Sequence, residues 1–398
     1  MYRSIMATTP ANRRDKVHIA SANSCTIKDN AAMTTHETAA EDREFLLVEA
    51  FRGLAAALVV YTHYWASDAT DLPWLRFSHT GVDLFFVLSG YVFGPYFFGK
   101  PIALFSFWTR RFFRIYPLYL LALACYLLEK VIRDIPLLYL FEHLSFTYVQ
   151  SKAMAFYYNP PFWSLPAEVC FYLALPFIAW MMQLAKRSSQ GMLGFGILTL
   201  LALAARLLLG SHANYDEENQ AFILLHHLPG LAIEFLMGAW VWHWARQSEN
   251  LGFALSLGLL ACVAWAAFAW YFGKVGDQGI QASSLRGQLG ALAALCYACI
   301  LYASLRWLRV RRSSNVSSSS GLGFVCVWAG RLSYGTYLFH IAALRATQAL
   351  VDQHSLELHL SPQWLALGLT VSTSLLVHRY WEDPWRSFGR RLADSIGR

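Results

Sequence analysis

The chain has 398 residues, of which 56% are hydrophobic and only 14% charged, with a mean hydropathy of +0.36. Soluble domains carry roughly a quarter of their residues as Asp, Glu, Lys or Arg, so composition excludes an ordinary soluble protein. The net charge of +7 falls mostly in alternate loops, which is a membrane-topology pattern and not one of nucleic-acid binding.

Residues 1–45 are polar and mixed, with Arg13, Arg14 and Lys16 but no apolar core of a secretory signal. They read as a disordered cytosolic tail. Ten apolar stretches follow, at 47–66, 81–99, 112–132, 164–185, 192–210, 228–246, 251–272, 287–305, 324–350 and 363–381. Each is close to the roughly 20 residues that span a bilayer as a helix. They are too long and too continuously apolar for barrel strands, which alternate over about ten residues. Lipid offers no partner to open backbone, so the predicted fold is all-α. It is a polytopic transmembrane bundle of about ten helices over 46–385, followed by a basic cytosolic tail at 386–398. The interval 133–163 holds LLYLFEHLSFTYV, too short to span and expected as an interfacial or re-entrant helix. SSNVSSSSG at 313–321 reads as a flexible linker. No internal repeat is visible, which weighs against the duplicated halves of many transporters.

Basic loops set the orientation. Lys100, Arg110, Arg111 and Arg114 lie on the same side as Lys186 and Arg187, as Arg306, Arg309, Arg311 and Arg312, and as the C-terminal Arg386, Arg390, Arg391 and Arg398. The opposite loops read DATD, NYDEEN and DQHSLELH. Lys130, Arg133 and Lys152 are exceptions, all in the long third loop. Both termini are therefore expected in the cytosol. Six of the seven cysteines lie in or beside spans. No second Cys/His pair has ligand spacing, so neither a disulfide framework nor a metal site is expected.

The first span reads EAFRGLAAALVVYTHYW at 49–65. Arg52 and His63 are eleven residues apart, hence on one helix face and about 16 Å apart along it. That spacing predicts Arg52 near the cytosolic surface and His63 near the midplane. Arg52 taken alone would snorkel. An ionisable group at bilayer depth is costly and usually faces a cavity, and a neutral imidazole suits general-base work. GVDLFFVLSG at 81–90 places Asp83 near the outer end of the second span and Ser89 deeper. WTRRFFRIYP at 108–117 puts Arg111 and Arg114 on one face of the third. Such a pair either binds phosphate or forms a basic flank. WSLPAEVCFY at 163–172 places Glu168 about one turn into the fourth span, near the outer side, where it needs a partner or water. In GRLSYGTYLFH at 330–340, Tyr334 and Tyr337 read as packing and the role of His340 stays open. His226, His227 and His243 are assigned no catalytic role.

These stretches, with the closing HRYWEDPWR, resemble in content and order the motifs of the integral-membrane acyltransferase family 3, the polysaccharide O-acetyltransferase type. The resemblance covers about residues 45–390. It departs from the family pattern at VEAFRG, where the family has LDGLRG and Glu49 stands in for the acid. The resemblance implies transfer of an acyl group, by default acetyl, from acyl-CoA as co-substrate to a hydroxyl of a glycan, a lipid-linked sugar or a small acceptor. It implies a central role for His63, with Asp83 and Glu168 shaping the acceptor side. Arg111 and Arg114 would engage the coenzyme A phosphates, with Arg52, Ser89 and His340 in support. Direct transfer with His63 as general base and two-step transfer through an acyl-histidine both fit. The expected location is the bacterial inner membrane, with the membrane domain acting alone or with a separate partner. A transporter or flippase for a glycan or lipid-linked sugar is the rival reading, and a non-catalytic sensor or scaffold the third.

Overall fold

The computed structural model describes residues 41–65, 73–187, 190–215, 218–247, 250–281, 285–310, 321–354 and 361–396. Its helices, in chain order, are α1 (Glu41–Tyr64), α2 (Gly81–Phe97), α3 (Leu104–Ile132), α4 (Leu140–Ser145), α5 (Lys152–Ala155), α6 (Leu165–Arg187) and α7 (Gly191–His212). They continue as α8 (Gln220–Leu225), α9 (Leu228–Gln247), α10 (Leu251–Gln281), α11 (Leu289–Val310), α12 (Gly321–His354), α13 (Pro362–Val377) and α14 (Asp383–Ile396). No strand occurs among the described residues. The fold is an all-α polytopic bundle, with a long helix at each of the ten predicted stretches.

Seven of the long helices are apolar and long enough to cross a membrane by length and composition. The other three differ for physical reasons. Helices α2 and α13 have 17 and 16 residues, short of a full span. Helix α12 interrupts its apolar sequence with Arg331, Ser333, Thr336, His340 and Arg345. Only 17% of the apolar stretch of α7, and of α10, is buried, so these two helices form the periphery. Their exposed Leu200, Leu201, Leu259 and Leu260 make a surface suited to hydrocarbon. Helices α2 and α9 pack closest at the centre. A Cβ at Gly90 would strike the Phe235 carbonyl, and one at Gly238 would strike the Val87 carbonyl. The paired glycines let the two backbones touch, as small residues do at membrane helix interfaces.

Three sequence expectations change. Residues 41–45 are not tail: they form the first turn of α1, and Glu44 accepts hydrogen bonds from Tyr91, Arg246 and Arg309. Positions 1–40 and 311–320 lie outside the described residues. Residues 386–396 are not tail either. They belong to α14, which is amphipathic and follows α13 through a π-helical turn at His378–Glu382. Phe113 stacks on Trp385, and Arg110 pairs with Asp394 at 2.7 Å, fixing α14 against α3. Charge kept this helix out of a hydropathy reading. The apolar run in the third loop, finally, forms only the six-residue α4.

That loop is ordered by its aromatics. His143 is fully buried and stacks on Tyr148 with ring centroids 4.0 Å apart. Its Nε2 donates to the Met154 carbonyl at 3.2 Å, and the Tyr119 hydroxyl donates to the His143 carbonyl at 2.9 Å. Tyr139 and Phe146, which flank α4, both adopt positive φ, a conformation that bulky residues hold only under packing constraint. Tyr157 and Tyr119 supply that packing. Burial pushes the His143 imidazole down to about 4. An imidazole whose pKa falls on folding stabilises the fold above its ordinary value near 6.5, and that stability is lost as pH falls from 6.5 towards 4. The loss amounts to about 3 kcal/mol. Hydrogen exchange over residues 136–164 should therefore accelerate across that window, after correction for intrinsic rates, and His143→Phe should remove the pH dependence. Protection independent of pH in the wild type would contradict this.

Candidate active site

A cavity lies among α1, α2, α3, α6 and α12. Arg52, Ser89, Arg111, Arg114, Glu168 and Tyr337 line it, together with Tyr172 and Tyr334. Three guanidinium groups thus face one carboxylate. Arg52 pairs with Glu49 at 3.3 Å. Neither Arg111 nor Arg114 forms an ion pair among the described residues. The Arg111 guanidinium lies 5.0 Å from the Phe93 ring and 5.7 Å from that of Tyr172, and its Nε has no hydrogen-bond partner. Half-buried guanidinium groups without a counter-charge suit an anionic ligand such as a phosphate.

Glu168 accepts a hydrogen bond from Tyr172, so Tyr172 sits between this carboxylate and Arg111. The sequence reading separates Glu168, towards the outside, from the cytosolic arginines. The structure puts them in one cavity. Tyr172 carries no role in that reading, although it lies one helical turn beyond Glu168 in WSLPAEVCFY.

His63 and His340 meet just beyond this cavity. His63 Nδ1 is 2.8 Å from the Val59 carbonyl and 3.3 Å from His340 Nε2. His340 Nδ1 is 3.0 Å from the carbonyls of both Thr336 and Tyr337. A carbonyl only accepts, so each Nδ1 carries the proton. The His63 Nδ1–H is then shared between Val59 and the His340 Nε2 lone pair. The consequence is chemical: His63 Nε2 carries a lone pair that accepts no hydrogen bond among the described residues. Tyr64 holds the pair from behind, donating to the His340 carbonyl at 2.7 Å and lying 2.6 Å from the Thr370 hydroxyl. Tyr337 joins the histidines to the cavity. Its ring lies 6.4 Å from that of His340, and Phe85 packs against it edge-on at 5.8 Å.

The depth of His63 differs from the sequence expectation. It occupies the last turn of α1, because the helix starts at Glu41 and not at 47. Its neighbour Tyr64 contacts Ala366, near the start of α13. The histidine pair therefore sits towards one end of the bundle and not at mid-length, with Arg52 about 16 Å away along α1.

Asp83 stands apart from the cavity. It is buried in the first turn of α2, in contact with Glu234 of α9 and close to Arg206 of α7. Arg206 Nη1 donates to Glu234 Oε1 at 3.1 Å and to the Gly230 carbonyl at 3.2 Å. This cluster ties three helices together, a structural use of buried charge. The signal was present in the sequence: Arg206 and Glu234 are lone charges within apolar spans.

An acyltransferase-domain family model matches residues 46–377. The chain belongs to that acyltransferase family. Aligned over 384 residues, this acyltransferase is 25% identical to a peptidoglycan O-acetyltransferase, OatA, of Listeria monocytogenes, covering 86% of the chain and 56% of the relative. It thus spans little more than half the length of that protein. It is also 38% identical over 87 residues to protein 2 of the picA locus of Rhizobium radiobacter, covering 20% of the chain and 42% of the relative. No solved structure matches.

The two charge groups of the acyltransferase should respond differently to mutation. Arg206→Met leaves two buried carboxyl groups without their cation and should destabilise the protein by about 3–5 kcal/mol, read as a lowered thermal midpoint in detergent. Arg111→Met removes a cavity group with no ion pair and should leave the midpoint nearly unchanged. Equal losses would contradict the division of labour.

Proposed function

We propose that this protein is a membrane O-acyltransferase that moves an acyl group, by default acetyl, from acyl-CoA to a hydroxyl of a glycan or related acceptor. The observation that carries the reading is the tautomer of His63, fixed by Val59 and His340 just beyond a cavity lined by Arg111 and Arg114, which form no ion pair among the described residues. Arg111 and Arg114 bind the phosphates of coenzyme A, and the thioester points along the cavity towards Tyr337. The acceptor hydroxyl approaches His63 from the opposite end. As its oxygen attacks the thioester carbon, His63 Nε2 takes the hydroxyl proton. Collapse of the adduct breaks the carbon–sulfur bond, and the leaving thiolate takes the proton back. The imidazolium formed on the way is stabilised through Nδ1–H by the His340 lone pair and the Val59 carbonyl. The distribution of basic loops supports the same direction: by it the arginine end faces the cytosol, where acyl-CoA is made, and the histidine end the outside. The same reading carries a bacterial inner-membrane location with both termini in the cytosol.

His340 acts here through His63 and is a positioning residue. His63→Ala should abolish acyl transfer from labelled acetyl-CoA to glycan in isolated membranes. His340→Ala should lower kcat by about 100-fold, the upper end for loss of a group that orients another, with the KM for acetyl-CoA little changed. His340→Gln keeps an acceptor at that position and should recover part of the rate. Arg111→Ala should instead raise the KM for acetyl-CoA. Transfer unaffected by His63→Ala, with the protein folded, would remove His63 from the chemistry.

A further inference from the structure

A second cavity, of about 270 Å³, lies at the histidine end of the bundle. It is built from the third loop, the α7–α8 connection and the turn before α11, and the sequence reading assigned it nothing. Its walls combine rings with cations: Trp163, Tyr215 and Phe222 with Lys152 and Arg286. The two cations are not equivalent. Lys152 is already engaged: Nζ donates to the Tyr215 carbonyl and lies 4.0 Å from Glu218, whose other oxygen accepts from the Lys152 backbone N–H. Arg286 forms no ion pair among the described residues, and its Nη1 is buried without a hydrogen-bond partner. Its guanidinium stacks on the Tyr215 ring at 4.0 Å. The backbone beneath it is fixed, since Gly287 packs directly on Gly210 and Gln288 donates to the Arg206 carbonyl.

We infer that this cavity is an anchoring subsite for an anionic sugar ring of the acceptor, with the ring against the aromatic wall and its carboxylate on Arg286. The inference rests on the acyltransferase reading above and narrows its acceptor. Rings at this depth form an interfacial belt when they face lipid; these face a cavity. The volume lies just below the range of about 300–1,000 Å³ typical of small-molecule sites, which fits a single sugar unit. The planar guanidinium, held by the Tyr215 ring, lines the cavity without a counter-charge among the described residues, the environment in which a carboxylate is bound. The subsite also adjoins the reaction path. Trp163 immediately precedes Ser164, whose hydroxyl meets that of Tyr337 at 2.7 Å, and Tyr337 touches the central cavity and His340. A sugar held here is a non-reacting part of the acceptor, whose binding energy positions the neighbouring hydroxyl.

The test is binding of oligosaccharides to the full chain in lipid nanodiscs, by calorimetry, without an acyl donor. The probes are hyaluronan tetrasaccharide, which carries glucuronate, and chitotetraose, which does not. The acidic probe should bind at least about tenfold more tightly, as expected for a charge-assisted pair. Glucuronate, and not glucose, should compete with it. Arg286→Gln should abolish the difference while leaving acetyl-CoA binding intact, and Arg286→Lys should keep part of it. Equal affinity for the two tetrasaccharides in the wild type overturns the inference. So does a difference that survives Arg286→Gln in protein that still binds acetyl-CoA. Competition by inorganic phosphate equal to that by glucuronate overturns the carboxylate assignment. These measurements involve no transfer step, so failure of His63 as the base and failure of this subsite are separate results.

Discussion

A charge inside a membrane bundle must find its partner within the protein, because lipid supplies none and desolvation costs several kcal/mol per ion. The charges packed within and at the ends of this bundle divide on that constraint. Glu44 holds Arg246 and Arg309, and Glu234 holds Arg206 beside Asp83. These clusters tie α1, α2, α7, α9 and α11 to one another. Arg111 and Arg114 have no such counter-charge among the described residues. Rings surround Arg111, and its Nε lacks a partner. Charges with a counter-charge hold the frame, and cations without one among the described residues line the cavity, poised for an anion brought from outside.

The histidine pair depends on the frame. Helices α1 and α12 run side by side, which places His340 against His63 although 277 residues separate them in the chain. Both imidazoles have one nitrogen committed to a backbone carbonyl, a device that fixes tautomer and ring orientation together. It leaves a lone pair on His63 Nε2, with no carboxylate beside the ring among the described residues. The carboxylate of Glu168 lies instead in the arginine cavity, hydrogen-bonded by Tyr172, where it offsets part of the positive charge.

Much of this was legible in the sequence. The ten long helices follow from apolar runs of spanning length, and Arg52, Ser89, Arg111, Arg114 and Glu168 do converge on one cavity. Facing was not legible. Helix α2 is buried almost all round, so periodicity gives no direction for Asp83, and its partners lie more than 100 residues further along the chain. Helix α14 escaped because its apolar residues alternate with arginines on a three-to-four-residue period, which a hydropathy reading averages away. The position of His63 in the last turn of α1 was not legible, because the helix extends through charged residues before its apolar run begins. The aromatic lock around His143 rests on contacts between distant turns, which spacing alone does not encode.

The central claim is that donor phosphates and the acyl carbon occupy opposite ends of one cavity, with His63 beyond its far end. The most direct measurement is a structure of the protein in nanodiscs with a non-hydrolysable acetyl-CoA analogue in which methylene replaces the thioester sulfur. The account predicts phosphates on Arg111 and Arg114, and the acyl carbon on the Tyr337 side, within about 5 Å of His63 Nε2, so that an acceptor oxygen fits between them at hydrogen-bond distance. Phosphates held elsewhere, or an acyl group pointing away from the histidines, would contradict it.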